Sequence, residues 1–281
     1  MTDFAFIDSG VGGIPYMKTL LQRKPDASCV YVADTANFPY GEKTHEQVVS
    51  CVVSLVQKIC ERFEPAVIVV ACNTMSVNAL DILRDKFPAQ KFIGTVPAIK
   101  LAASLSKKRR IGLLATRATC ENPYNIELKN KFAADCQLIN RPDGELVSFI
   151  EHNAFTASRE LCLAAVKPAV DFFRQENCDV IILGCTHFLN FTDVFKEACG
   201  NDIRVVDSVD GVVRHALEVY EGGATGGEPP VREGSEQRSA SEGETSPCKS
   251  KLFVTSISDP EEKKQYDTLC ARFGINFEGL C

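Results

Sequence analysis

Short runs of Val, Ile, Leu and Phe alternate along this chain with longer stretches whose apolar residues recur at helical spacing. The short runs predict strands at 4–7 (FAFI), 29–33 (CVYVA), 66–71 (AVIVVA), 91–96 (KFIGTV) and 111–115 (IGLLA). Four more are predicted at 136–140 (CQLIN), 179–184 (DVIILG), 203–207 (IRVVD) and 251–257 (KLFVTSI). The amphipathic stretches 44–63 and 156–175 predict helices, and 259–273 predicts a last one. Continuous β-branched strands separated by helices fit parallel sheets covered on both faces, so the expected class is α/β.

Residues 222–250 break this rhythm: Gly, Ser, Pro and Glu make up 19 of the 29. Such a composition cannot bury a core and predicts a flexible insertion. A weak internal repeat is also present. FAFIDSGVGG (4–13) and RRIGLLATRAT (109–119) are each a strand followed by a small polar loop. Each is followed, some way on, by an apolar run ending in cysteine: VIVV into Ala71-Cys72-Asn73-Thr74, and VIIL into Gly184-Cys185-Thr186-His187. Two pseudo-symmetric lobes are expected: 1–97 with 208–281, and 98–207. In open parallel sheets the site lies beyond the carboxyl ends of the strands. Both cysteines would then point into one cleft between the lobes.

Composition narrows the function. A length of 281 residues suits two α/β lobes. The net charge of −6 argues against nucleic acid as partner. The one basic run, Lys107-Lys108-Arg109-Arg110, reads as a solvated helix end. No apolar run approaches the ~20 residues that span a bilayer, and MTDFAFIDSG lacks the basic start of a secretory signal. A cytoplasmic protein without membrane contact is expected. Thirteen scattered cysteines with no C-x-x-C pair favour reduced, mostly packing thiols over zinc or disulfides. No metal site is expected.

Against that background Cys72 and Cys185 stand out. A lone cysteine at a strand end is ordinarily a packing residue. Here the pattern repeats with polar neighbours, Asn73, Thr74, Thr186 and His187, that a core would not favour. Two facing thiols can remove a proton from one face of a carbon acid and return one to the other, since a thiol near its ~8.5 reference pKa serves as acid or base. The loop Asp8-Ser9-Gly10-Val11-Gly12-Gly13 lacks the dinucleotide spacing. Its Asp8 suits a reacting amine or thiol. His187 is a candidate acid/base partner of Cys185. Taken alone, Pro39-Tyr40-Gly41 is a turn and Glu151 an exposed helix carboxylate.

FIDSGVGG (6–13), VADTANFPYGEK (32–43), VVACNTMS (69–76), GLLATRAT (112–119), LVSFIE (146–151) and LGCTH (183–187) together resemble the glutamate racemases of the aspartate/glutamate racemase family. The tail LFVTSISDP resembles that family's closing strand. The resemblance implies cofactor-independent interconversion of L- and D-glutamate, supplying D-glutamate for peptidoglycan. It implies that Cys72 takes the proton from the D-enantiomer with help from Asp8, and that Cys185 takes it from the L-enantiomer with help from Glu151 and His187. Substrate contacts would fall on Asp8, Ser9, Tyr40, Gly41, Asn73, Thr74, Thr119, Thr186 and His187. The expected partners are the small-molecule substrate and a second copy in a homodimer. Arg117 is the one arginine in these motifs. The chain departs from the family in having Phe188-Leu189 where Tyr-Pro is usual.

Four other readings remain. A racemase of a related substrate, aspartate or a hydantoin, would use the same two thiols. A Cys185–His187 hydrolase would not need Cys72 to mirror Cys185. A binding protein that had kept the fold, or a one-thiol decarboxylase relative, would have no need of both cysteines.

Overall fold

The computed structural model describes residues 2–222 and 250–281. Residues 223–249 lie outside the described part, so the expected insertion falls almost wholly there. Among the described residues ten strands form two sheets, all parallel. They are β1 (Thr2–Asp8), β2 (Cys29–Ala33), β3 (Pro65–Val70), β4 (Lys91–Gly94), β5 (Arg110–Ala115), β6 (Gln137–Pro142), β7 (Val180–Leu183), β8 (Arg204–Val206), β9 (Ser250–Val254) and β10 (Asn276–Leu280). The larger sheet runs β10-β9-β2-β1-β3-β4 and the smaller β6-β5-β7-β8.

Both sheets share one winding. In each, the first strand sits centrally, the second pairs on one side, and the third and fourth extend the other. The registers match as well. Ile7 pairs with Val70, and Leu114 pairs with Leu183. Each cysteine follows the paired residue of its strand by two positions, so Cys72 and Cys185 are equivalent. By the same register Ser9 is equivalent to Thr116. The strand order reverses between β1 and β3, and again between β5 and β7. A crevice opens at such a reversal because the crossovers on either side leave on opposite faces.

Three apolar clusters hold the layers. One packs the outer face of the larger sheet under the helices His45–Phe63 and Asn73–Lys86. A second covers the outer face of the smaller sheet. The third is continuous through both halves, joining Phe4, Phe6 and Val69 to Ile181, Leu183 and Phe188. Phe188 is wholly buried and meets Phe195 edge-on at 6.1 Å. The Phe188-Leu189 pair behind Cys185 is thus ordinary core.

Boundaries follow local chemistry. Helix His45–Phe63 starts at Thr44 with a capping box to Gln47. Helix Arg159–Gln175 starts later than its periodicity suggests because Ser158 caps it. The run 91–96 leaves the sheet at Gly94, because Thr95 N–H turns to donate to Ser76 Oγ at 2.9 Å. The basic run 107–110 is the turn into β5, not a helix end, and Asp179 accepts from Lys107 N–H and Lys108 N–H at 2.6 and 2.8 Å. Strand β10 has no alternating apolar run to announce it; it is a bulged edge strand whose residues alternate between exposed and half-buried. Among the described residues no helix is long and apolar enough to cross a membrane.

Candidate active site

The loops beyond the carboxyl ends of both sheets enclose a cavity of about 530 Å³. Cys72 and Cys185 both line it. Each occupies the residue before a helix, Asn73–Lys86 or the single turn Thr186–Leu189, in extended conformation (φ −147°, ψ 119° and φ −131°, ψ 139°). No side chain caps either helix start, so backbone N–H groups are left for the sulfurs. The nearby Met75 N–H works to lower the Cys72 pKa. A helix N-terminus favours thiolate over thiol.

The partners of the two thiols differ. Cys72 lies against Asp8, and burial, then the Asp8 charge, pushes its thiol well above the ordinary value. Asp8 is fully buried below the cavity and does not line it. Its carboxylate accepts from Ser9 N–H and Gly13 N–H at 2.7 Å each and from the Thr186 hydroxyl at 3.1 Å. Burial raises its pKa, with the His187 charge working the other way. Thr186 thus ties the first half's carboxylate to the second half's helix.

On the other flank, Cys185 Sγ lies 3.7 Å from His187 Nδ1, and His187 Nε2 lies 2.7 Å from Glu151 Oε2. Glu151 also accepts from Val11 N–H at 3.1 Å, so its carboxylate grips the glycine loop. Burial opposes charge on His187, but its contacts with Cys185 and Glu151 outweigh that and hold its pKa well above 6.5. Glu151 is therefore not the exposed carboxylate that its place in LVSFIE suggested: its side chain is 7% exposed. Only a fold that brings residues 11, 151 and 187 together could reveal that.

Much of the remaining wall is neutral and polar. Ser9, Tyr40, Gly41, Asn73, Thr74, Thr186 and His187 all line the cavity. Asn73 Oδ1 is buried without a hydrogen-bond partner, an acceptor left for a ligand. Tyr40 is more than a turn residue, being buried in the short helix Tyr40–Glu42. Thr119, expected to touch substrate, is fully buried behind the wall and bonds Thr116 Oγ1 at 3.1 Å. Thr116 takes the lining position and also bonds Thr74 at 3.0 Å, from one half to the other. Thr116 is not among the expected contacts, although aligning FAFIDS with IGLLAT sets it opposite Ser9. Phe38 was missed too; its ring lies 5.7 Å from that of His187.

Two glycines allow the halves to close. A Cβ on Gly12 would lie 2.6 Å from His187 N, and one on Gly41 would lie 2.7 Å from Thr116 Cβ. Backbone approaches this close exclude any side chain.

A family model for Asp/Glu/Hydantoin racemases matches residues 14–216. A glutamate racemase of Treponema pallidum is 41% identical over 216 residues, covering 77% of this chain and 80% of that protein. One of Shewanella oneidensis is 39% identical, covering 75% and 79%. The solved structure of Escherichia coli glutamate racemase, in complex with L-glutamate and the activator UDP-MurNAc-Ala, superposes with a TM-score of 0.80. It is 30% identical and covers 100% of this chain and 99% of that one. A matched family model over most of the length, relatives near 40% identity and a shared fold lead to one conclusion: this chain belongs to the Asp/Glu/Hydantoin racemase family.

Proposed function

We propose that the protein interconverts L- and D-glutamate by two-thiol proton transfer, without a cofactor. The observation that carries this reading is that two register-equivalent cysteines, one from each half, line a single cavity. In the L-to-D direction Cys185, held beside the His187 ring, takes the α-proton. The Cys72 thiol, kept protonated by burial and by Asp8, delivers its own to the opposite face. In the D-to-L direction the roles exchange. Helix N-termini and the hydroxyls of Ser9, Thr74, Thr116 and Thr186 stabilise the charge that moves onto the α-carboxylate as the carbanion forms. Asn73 Oδ1 is free to accept from the substrate ammonium. The names of the relatives support glutamate as substrate.

The lobes divide at 97/98 and 207/208, and the protein acts in the cytoplasm as a homodimer that supplies D-glutamate for peptidoglycan. The test is incubation with L-glutamate in deuterated water without added cofactor. Loss of optical rotation together with α-deuterium in the D-product is expected. A solution that keeps its rotation and gains no deuterium ends the proposal. The same experiment with aspartate tests the nearest competing substrate.

The Cys185–His187–Glu151 line also fits a cysteine hydrolase, with nucleophile, base and orienting carboxylate in order. That reading gives Cys72 no task. A Cys72→Ala variant that kept full activity on any ester or amide would favour it.

A further inference from the structure

Arg117 and Lys43 are not absorbed by the reaction just described. Both line the cavity, Arg117 exposed and Lys43 half-buried, so they belong to its open end. They come from different halves. Lys43 follows Gly41 by two residues, and Arg117 follows Thr116 by one. Gly41 and Thr116 form the close inter-half contact described above. The two cations are therefore anchored beside a single junction. Among the described residues neither is held in an ion pair.

The rest of the wall makes these charges matter. Glutamate carries two carboxylates and one ammonium, and the chain itself carries a net charge of −6. Inside the cavity the side-chain donors are neutral except His187, which is already committed to Glu151 and Cys185. Glu42 and Glu121 also line the open end. Glu42 Oε1 sits near Gly144, at the start of the helix Gly144–Asn153. Without Lys43 and Arg117 an anion would enter past two carboxylates on an acidic protein. A charged entrance over a low-dielectric cavity changes capture of an ion by 10–10³-fold, and salt weakens the effect.

We infer that Lys43 and Arg117 are the specificity-determining entry pair, selecting an anionic amino acid by its net charge before the neutral donors inside orient it. The inference rests on the glutamate reading and names the part of the site that enforces it. Neither residue touches the reacting carbon, and kcat does not depend on them.

The test measures kcat and kcat/KM for L-glutamate across a range of ionic strength. In Lys43→Gln combined with Arg117→Gln, kcat/KM at low salt falls about tenfold while kcat holds, and the dependence on salt flattens. Glu121→Gln shifts kcat/KM the other way. A double variant with the salt dependence of the wild type overturns the inference, as does one in which kcat falls together with kcat/KM. A wild-type protein that racemises glutamate while the variants behave like it sinks the entry pair alone. A wild-type protein that racemises nothing sinks the glutamate reading and the entry pair with it.

Discussion

Glu151 Oε2 and His187 Nε2 lie 2.7 Å apart, both side chains almost wholly buried, and the same carboxylate holds the Val11 N–H of the opposite half. One side chain thus joins Cys185 in raising the pKa of the His187 ring and pins the loop that follows Asp8. Glu151→Gln is expected to lower kcat by about 10²-fold or more, a loss typical of a disabled acid–base partner. The pairing also has a signature in stability. The folded-state pKa of His187 lies above 6.5. Its stabilisation is complete below pH 6.5 and fades as pH rises through the folded value. The gap in Tm between wild type and Glu151→Gln should therefore be widest in mild acid and shrink in alkali.

Cys72→Ala and Cys185→Ala should each reduce racemisation by about 10³-fold or more in both directions. In the proposed two-thiol scheme each removes a proton carrier that no neighbour replaces. Both sites are small and the cavity is open to solvent, so circular dichroism should show an unchanged fold. A variant of either kind that still equilibrates the enantiomers contradicts the two-thiol scheme.

Burial and Asp8 raise the Cys72 thiol well above 9.0. In the proposed scheme the L-to-D reaction needs this group protonated and loses it only when pH passes the raised value. The profile of kcat/KM for L-glutamate should therefore hold its plateau beyond pH 9.0 before descending. Asp8→Asn removes the charge that helps raise the thiol, and the descending limb should move to lower pH.

Gly12→Ala places a methyl group 2.6 Å from His187 N and 2.8 Å from Thr186 Oγ1. These are backbone and short side-chain atoms with no room to retreat. The variant should lose about 1–3 kcal/mol of stability, read as a fall in Tm. Its activity should drop further than that stability loss accounts for, because the displaced loop carries Asp8.

Much of this architecture was legible in the residues. The interior strands could be found because a parallel sheet covered on both faces demands unbroken Val, Ile and Leu, and β2 is foreseen to the residue. Strand β10 could not, because an edge that packs one face leaves no such run. The paired cysteines were visible through repetition, which no packing requirement produces. Glu151 was not, because its burial depends on residues 11 and 187, far away in sequence. Thr119 was misplaced by one helical turn: it and Thr116 are both threonines near the tip of β5, and only the direction of the turn decides which faces the cavity.

The common winding of the two sheets has a stereochemical consequence. Chains of L-residues can be copied by rotation but never by reflection. A doubled fold can therefore bring equivalent groups to both sides of a carbon, yet the two sides can never be mirror images. Here the mismatch is plain: a carboxylate attends one sulfur and a histidine ring the other. Because the enantiomers have equal free energy, the ratio kcat/KM must still be the same for each hand. The unlike flanks can express themselves only as offsetting differences, with the hand that is held more tightly also turning over more slowly.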